Sequence, residues 1–168
     1  MTDRPAEIVR WEDIEGPEWT YRDHPEEMCR DADYSTHFGL KRFGVHHVRL
    51  PPGRRTSFPH AESAEDEFVY VIQGAPDVWL DGQLHRLSPG DGVGFPAGTG
   101  LAHTFLNNTD SDVRLIVVGD RGIAGGRILY PKHLERKPLR EDWWNDAPDR
   151  PLGPHDGLTD ARRAELKG

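Results

Sequence analysis

Apolar residues in the middle of the chain fall in short runs separated by glycine, proline, asparagine and aspartate, and no run keeps a helical period. Short runs with two-residue alternation, bounded by turn formers, predict β-strands. FGLKRFGVHHVRL (38–50) is one, stopped by Pro51-Pro52-Gly53, and EFVYVIQG (67–74) is a second, ended by Gly74. DVWL and QLHRL (77–87) flank Asp81-Gly82. That dipeptide suits a type I′ hairpin turn, in which both central residues need positive φ. SPGDGVGFPAGTG (88–100) predicts a turn, a brief strand and a turn. AHTFLNN (102–108) and VRLIVVGD (113–120) predict two further strands around a turn at 107–110. About six or seven short strands at hairpin spacing predict an all-β fold, an antiparallel barrel or sandwich.

The ends read differently. Residues 1–36 are acidic and irregular and predict an N-terminal arm, with Trp11 and Trp19 as the rings that pin it to a β domain over 37–130. From Pro131 the chain is Pro-rich and charged, and Pro148, Pro151 and Pro154 exclude a long regular element. Trp143 and Trp144 are expected to lay this extension (131–168) against the β domain. Within it TDARRAELK (159–167) predicts a short helix with Thr159 near its N-cap.

Composition narrows the function classes. A chain of 168 residues suits one domain with its own core. Lys plus Arg is 21 against 29 for Asp plus Glu, a net charge of −8. Such a chain repels phosphate backbones and has no basic cluster, so nucleic acid is set aside as a partner. No apolar run approaches membrane-spanning length. The N-terminal MTDRPAEIVR lacks the apolar stretch of a secretory signal, and Cys29 is the single cysteine, so a cytoplasmic location is expected.

The chemistry concentrates in two stretches. PHAESAEDEFVY (59–70) sets His60 and Glu62 two residues apart, and on an extended chain such residues share a face. Glu67 follows a short bend and opens the next strand, from which it can aim a third donor inward. GDGVGFPAGTGLAHTFLN (90–107) supplies His103 at the start of another strand. Imidazole and carboxylate are ligands for zinc, iron, manganese or nickel, and facing strands can bring the two stretches together. The plain alternative is a polar turn beside a hydrogen-bonded core histidine.

Gly53, His60, Glu62, Glu67 and Gly74, followed by Gly90, Pro96, Gly98, His103 and Asn107, resemble the two ordered motifs of the cupin superfamily. The likeness spans roughly 45–120 and departs from the pattern twice: Glu62 stands where a second histidine is usual, and six residues rather than five separate Gly53 from His60. The resemblance implies a double-stranded β-helix of jelly-roll type in a small single-domain protein. It implies one divalent metal ion per chain, zinc, manganese or iron, held by His60, Glu67 and His103, with Glu62 in place of an imidazole or turned away. It also implies a homodimer, for which Phe68, Tyr70 and Ile72, alternating with Val69 and Val71, offer an outward row.

His46 and His47 lie in the strand before the first motif, and alternation turns one inward without saying which. His47, on a face with Phe43, Val45 and Arg49, is the candidate catalytic base together with Glu62. Phe105 should share the face of His103 and wall a pocket. Asn107 is expected to serve a turn, His85 to be exposed on the hairpin, and Arg54 and Arg55 to sit in a solvated loop. Two functions stand. One is a mononuclear metalloenzyme of isomerase, lyase or dioxygenase type acting on a small oxygen-rich molecule, with proton transfer favoured over redox chemistry. The other is a non-catalytic module that binds a sugar or carboxylate around a structural metal. A regulatory role on DNA is disfavoured, because no helix-turn-helix segment is present.

Overall fold

The structure, a computed structural model, describes residues 4–168. Ten strands are present among them: β1 Arg30–Asp33, β2 Phe43–Leu50, β3 Ala61–Glu62, β4 Glu67–Gln73, β5 Asp77–Leu80, β6 Gln83–Arg86, β7 Gly92–Phe95, β8 His103–Leu106, β9 Val113–Asp120 and β10 Ile128–Leu129. Two short α-helices accompany them, α1 Tyr34–Phe38 and α2 Asp160–Glu165, with 3-10 turns at Trp11–Asp13 and Leu134–Leu139. None of these helices is long and apolar enough to cross a membrane.

The strands form a five-stranded sheet in the order β1-β2-β9-β4-β7, a three-stranded sheet β6-β5-β8 and a two-stranded ladder β10-β3, with every paired ladder antiparallel. Val48, Leu50, Val69, Val71, Leu115 and Val113 from the larger sheet meet Val78 and Phe105 from the smaller in one buried core. The ladders run as these three sheets and do not join into a closed ring among the described residues, so the expected barrel appears as packed sheets. The segment 53–60 continues the smaller sheet by running antiparallel to β8: Thr56 N–H donates to Phe105 O (2.9 Å), and His60 and His103 exchange both backbone hydrogen bonds (3.1 and 2.8 Å).

Local chemistry explains several elements. Asp81 and Gly82 adopt φ of 43° and 88°, the mirror-image turn that joins β5 to β6. Asn107 is buried and its amide donates to Leu50 O and Ser111 O (2.8 Å each), the turn role expected of it. Thr159 caps α2 by accepting from Arg162 N–H (3.2 Å) and donates to Gly53 O (2.8 Å), which ties the C-terminal helix to the turn after β2. Trp143 and Trp144 are buried, and Phe68, Tyr70 and Ile72 are 46%, 41% and 40% exposed, opposite to Val69 and Val71.

Other expectations change. The arm is ordered in part: Arg30–Asp33 pairs with β2, and α1 follows, capped by the Asp33 carboxylate on Thr36 N–H (2.8 Å) and ended by Gly39 at φ 67°. The strand read over 38–50 therefore begins at Phe43. Arg55 is fully buried rather than solvated. Its guanidinium makes a bidentate pair with Glu26 (2.8 and 2.7 Å), donates to Gly157 O (2.9 Å) and lies over the Phe58 ring (4.6 Å). Arg55 thus locks the arm and the C-terminal extension onto the body.

Candidate functional site

A cavity of about 250 Å³ lies between the two sheets, with walls from Trp19, Val48, Val69, Phe105 and Val117. Its polar lining is Asp31, His46, Thr56, Ser57, His60, Glu67 and His103, with the Cys29 thiol beside Trp19. Among the described residues, no lysine or arginine lines it. Burial pushes that thiol up to about 12, so it stays protonated at neutrality.

His60 and His103 are neighbours because the 53–60 segment and β8 pair at that point, and their ring centroids lie 4.7 Å apart. The His60 Nδ1 bonds Phe58 O (2.9 Å) and lies 3.2 Å from Ser57 Oγ, which turns its Nε2 away from the backbone. Burial, followed by the neighbouring His103, pushes His60 down to about 4, so its imidazole is neutral at physiological pH. Glu67 enters from β4, on the face of Val69 and Val71. Its register partner Phe95 stacks on the His103 ring at 3.5 Å. Burial works against a charge on Glu67, yet the His103 hydrogen bond and the two imidazoles hold it below the usual carboxylate range. His103 Nε2 and Glu67 Oε1 are 3.0 Å apart, and two such electron-rich atoms require a proton or a cation between them.

The structure thus brings His60, Glu67 and His103 to one cavity, three of the four side chains read as ligands. Glu62 does not join that wall. It lies on a smaller cavity of about 160 Å³ with Glu65, Asp66, Glu67 and Asp120. Burial, then the charges of Glu65 and Glu67, pushes it up to about 8. Burial and the carboxylates around it disfavour a charge on Glu62, so at neutrality it is mostly protonated and a poor ligand for a cation. Among the described residues no group of three or more His, Cys, Asp or Glu stands close enough together to hold an ion. The donor chemistry nevertheless fits one. Both Nδ1 atoms face backbone carbonyls, His103 Nδ1 at 3.4 Å from Leu101 O, so both Nε2 atoms point away from the backbone, as in histidines that ligate through Nε2.

The histidine of β2 that faces inward is one residue away from the one chosen as candidate base. His46, not His47, faces the cavity, on the side of β2 that carries Val48 and Leu50. His47 lies on the outer face, stacked on Trp11 (4.4 Å) beneath the arm, with Arg114 over the same indole (4.6 Å). Burial, then Arg114, lowers its affinity for a proton. Trp19, Cys29 and Asp31 were not foreseen in the site; they come from the arm, where Arg30-Asp31-Ala32-Asp33 carries no strand signal of its own.

Comparisons with known proteins identify the family and the fold. Residues 46–119 match the family model of the cupin domain. The chain is 33% identical to the protein SchB of Streptomyces halstedii over 123 residues, 69% of this chain and 78% of that protein. A solved cupin from Silicibacter pomeroyi described as a sugar phosphate isomerase is 37% identical with a TM-score of 0.58, over 61% of this chain and 64% of that one. The polyketide cyclase RemF from Streptomyces resistomycificus shares the fold at 21% identity and a TM-score of 0.59, over 84% of this chain and 89% of that one. Two imidazoles and a carboxylate meeting between antiparallel sheets, within a matched stretch that contains both motifs, place the chain in the cupin superfamily.

Proposed function

We propose that this chain is an enzyme of isomerase type that moves a proton beside the carbonyl group of a small, uncharged, oxygen-bearing molecule. The observation that carries this reading is the cavity lining: apolar rings and aliphatic side chains beside several titratable groups, and, among the described residues, no lysine or arginine. A phosphate ester would meet the Asp31 and Glu67 carboxylates and no lysine or arginine, which favours an uncharged substrate over the sugar phosphate named for the S. pomeroyi isomerase. Trp19, Val69 and Phe105 would hold the carbon skeleton, and the Thr56 and Ser57 hydroxyls would orient its oxygen atoms. His60, Glu67 and His103 would hold a divalent ion, zinc, manganese or iron. Such an ion supplies Lewis acidity toward a carbonyl oxygen. A binding module without catalysis needs no ionisable group aimed at its ligand, and His46 in the cavity lining, paired with Asp31, argues against it. In the same reading the chain pairs with a second copy through the outward row of Phe68, Tyr70 and Ile72.

The test has two readouts. Elemental analysis of protein purified without chelators should find about one divalent ion per chain, lost in His60→Ala and His103→Ala. Acetophenone in D₂O, followed by proton NMR, should exchange its methyl protons faster with the enzyme than without it. Metal retained by both variants refutes the ligand assignment, and no enhanced exchange refutes the proton-transfer reading.

A further inference from the structure

We propose that Asp31 and His46 form a proton-transfer dyad at the mouth of the cavity, with His46 as the group that touches substrate and Asp31 as its positioning residue. This rests on the proton-transfer reading above. It adds a role for the arm, because Asp31 lies in β1, outside the stretch that matches the cupin domain.

The geometry is specific. His46 Nδ1 lies 2.9 Å from Asp31 Oδ2 and 3.1 Å from Oδ1, so Nδ1–H donates to the carboxylate. That bond fixes the tautomer and leaves the Nε2 lone pair free. Both side chains line the cavity and keep about a third of their surface in water (31% and 35%). His60, Glu67 and His103 sit deeper, so His46 is the imidazole that exchanges protons with solvent while facing the bound molecule. The register explains the pairing: β1 and β2 run antiparallel with Asp31 opposite Val48 and Asp33 opposite His46, which puts the Asp31 side chain diagonal to His46 on the cavity face. Asp33, the nearer in register, is engaged in capping α1.

In the step, His46 Nε2 takes a proton from the carbon beside the carbonyl. The C–H bond breaks, its electron pair moves into the enolate, and an N–H bond forms. The imidazolium is stabilised by Asp31 and returns the proton, or one exchanged with water, to the neighbouring carbon or oxygen. No oxidant or reductant is needed. Other charges face His46 as well: Asp33 on β1, Arg121 beyond β9, Glu67 on β4, and Glu62, Glu65, Asp66 and Asp120 around the smaller cavity. Among them only Asp31 makes a hydrogen bond to its ring.

The experiment uses the full chain in two arms. Without substrate, long-range ¹⁵N–¹H correlation should show His46 protonated on Nδ1 at high pH. Asp31→Asn, which keeps an acceptor, should preserve that tautomer, and Asp31→Ala should relax it toward Nε2–H. With acetophenone in D₂O, His46→Gln should cut kcat for exchange by about 100-fold and Asp31→Ala by at least about tenfold, with KM nearly unchanged. Asp31→Glu should restore part of the loss, and His85→Gln, at an exposed hairpin residue, should leave it intact. A wild-type Nε2–H tautomer overturns the dyad. So does full exchange in His46→Gln when His60→Ala is inactive, which leaves the broader reading standing. Absence of exchange in the wild type instead sinks the proton-transfer reading, and the catalytic role of the dyad with it.

Discussion

At the scale of single residues, Arg55 shows how much one buried charge can depend on distant partners. Its guanidinium is sealed between Glu26, Gly157 O and the Phe58 ring. Truncation leaves Glu26 without its counter-ion, so Arg55→Ala should cost about 3–5 kcal/mol in a urea denaturation series. His46 predicts a pH effect of known sign. The Asp31 hydrogen bond raises its affinity for a proton above the ordinary value of 6.5. The folded state therefore gains stability from the protonated pair below that value and loses it as pH rises through the raised one. The stability gap between the wild type and Asp31→Ala should shrink over that interval, and equal gaps at pH 6 and pH 9 would refute the coupling. Neither residue was fully legible from the sequence. Arg55 follows a Pro-Pro-Gly turn and looks like loop, because its partners lie 29 and 102 positions away. His46 and His47 were ambiguous because β2 has apolar residues on both faces, Val48 and Leu50 inside and Phe43 and Val45 outside.

At the scale of elements, legibility follows the range of the interactions. The β5–β6 hairpin could be read because Asp81-Gly82 dictates its own backbone. Helix α2 could be read because Thr159 provides a local cap. By contrast β3 and β10 are two residues each, and their pairing of Ala61 with Leu129 and Glu62 with Ile128 is set by the tertiary fold rather than by propensity. The same holds for β1, whose four polar and small residues become a strand only beside β2. That His60, Glu67 and His103 share a cavity was legible from their motif spacing, whereas the placement of Glu62 on a second cavity with Glu65, Asp66 and Asp120 depends on tertiary packing that sequence separation does not reveal. The cap of α2 gives a direct test. Thr159→Ala removes both the Arg162 N–H acceptor and the bond to Gly53 O, and should lower stability by about 1–2 kcal/mol in thermal unfolding. Thr159→Ser, which keeps the hydroxyl, should lose far less.

At the scale of the whole molecule, two ends of the chain close over one pair of sheets. The arm contributes Trp11 over His47, Glu15 paired with Arg49 (2.8 Å) and Glu26 paired with Arg55, while the C-terminal segment places Gly153 against the β5–β6 turn through its N–H to Asp81 O (2.7 Å). Among the described residues neither end covers the outer row of β4. Sedimentation at micromolar concentration should therefore report a dimer, and a Phe68→Ser, Tyr70→Ser double variant should report a monomer with unchanged fold; a monomeric wild type removes the assembly. The most consequential feature is the mixed ownership of the cavity. His46, His60, Glu67 and His103 belong to the matched cupin stretch, but Trp19, Cys29 and Asp31 arrive from upstream. Exchanging the arm would therefore alter at once which molecules the pocket admits and the partner of His46, while His60, Glu67 and His103, all inside the matched stretch, would keep their own strands.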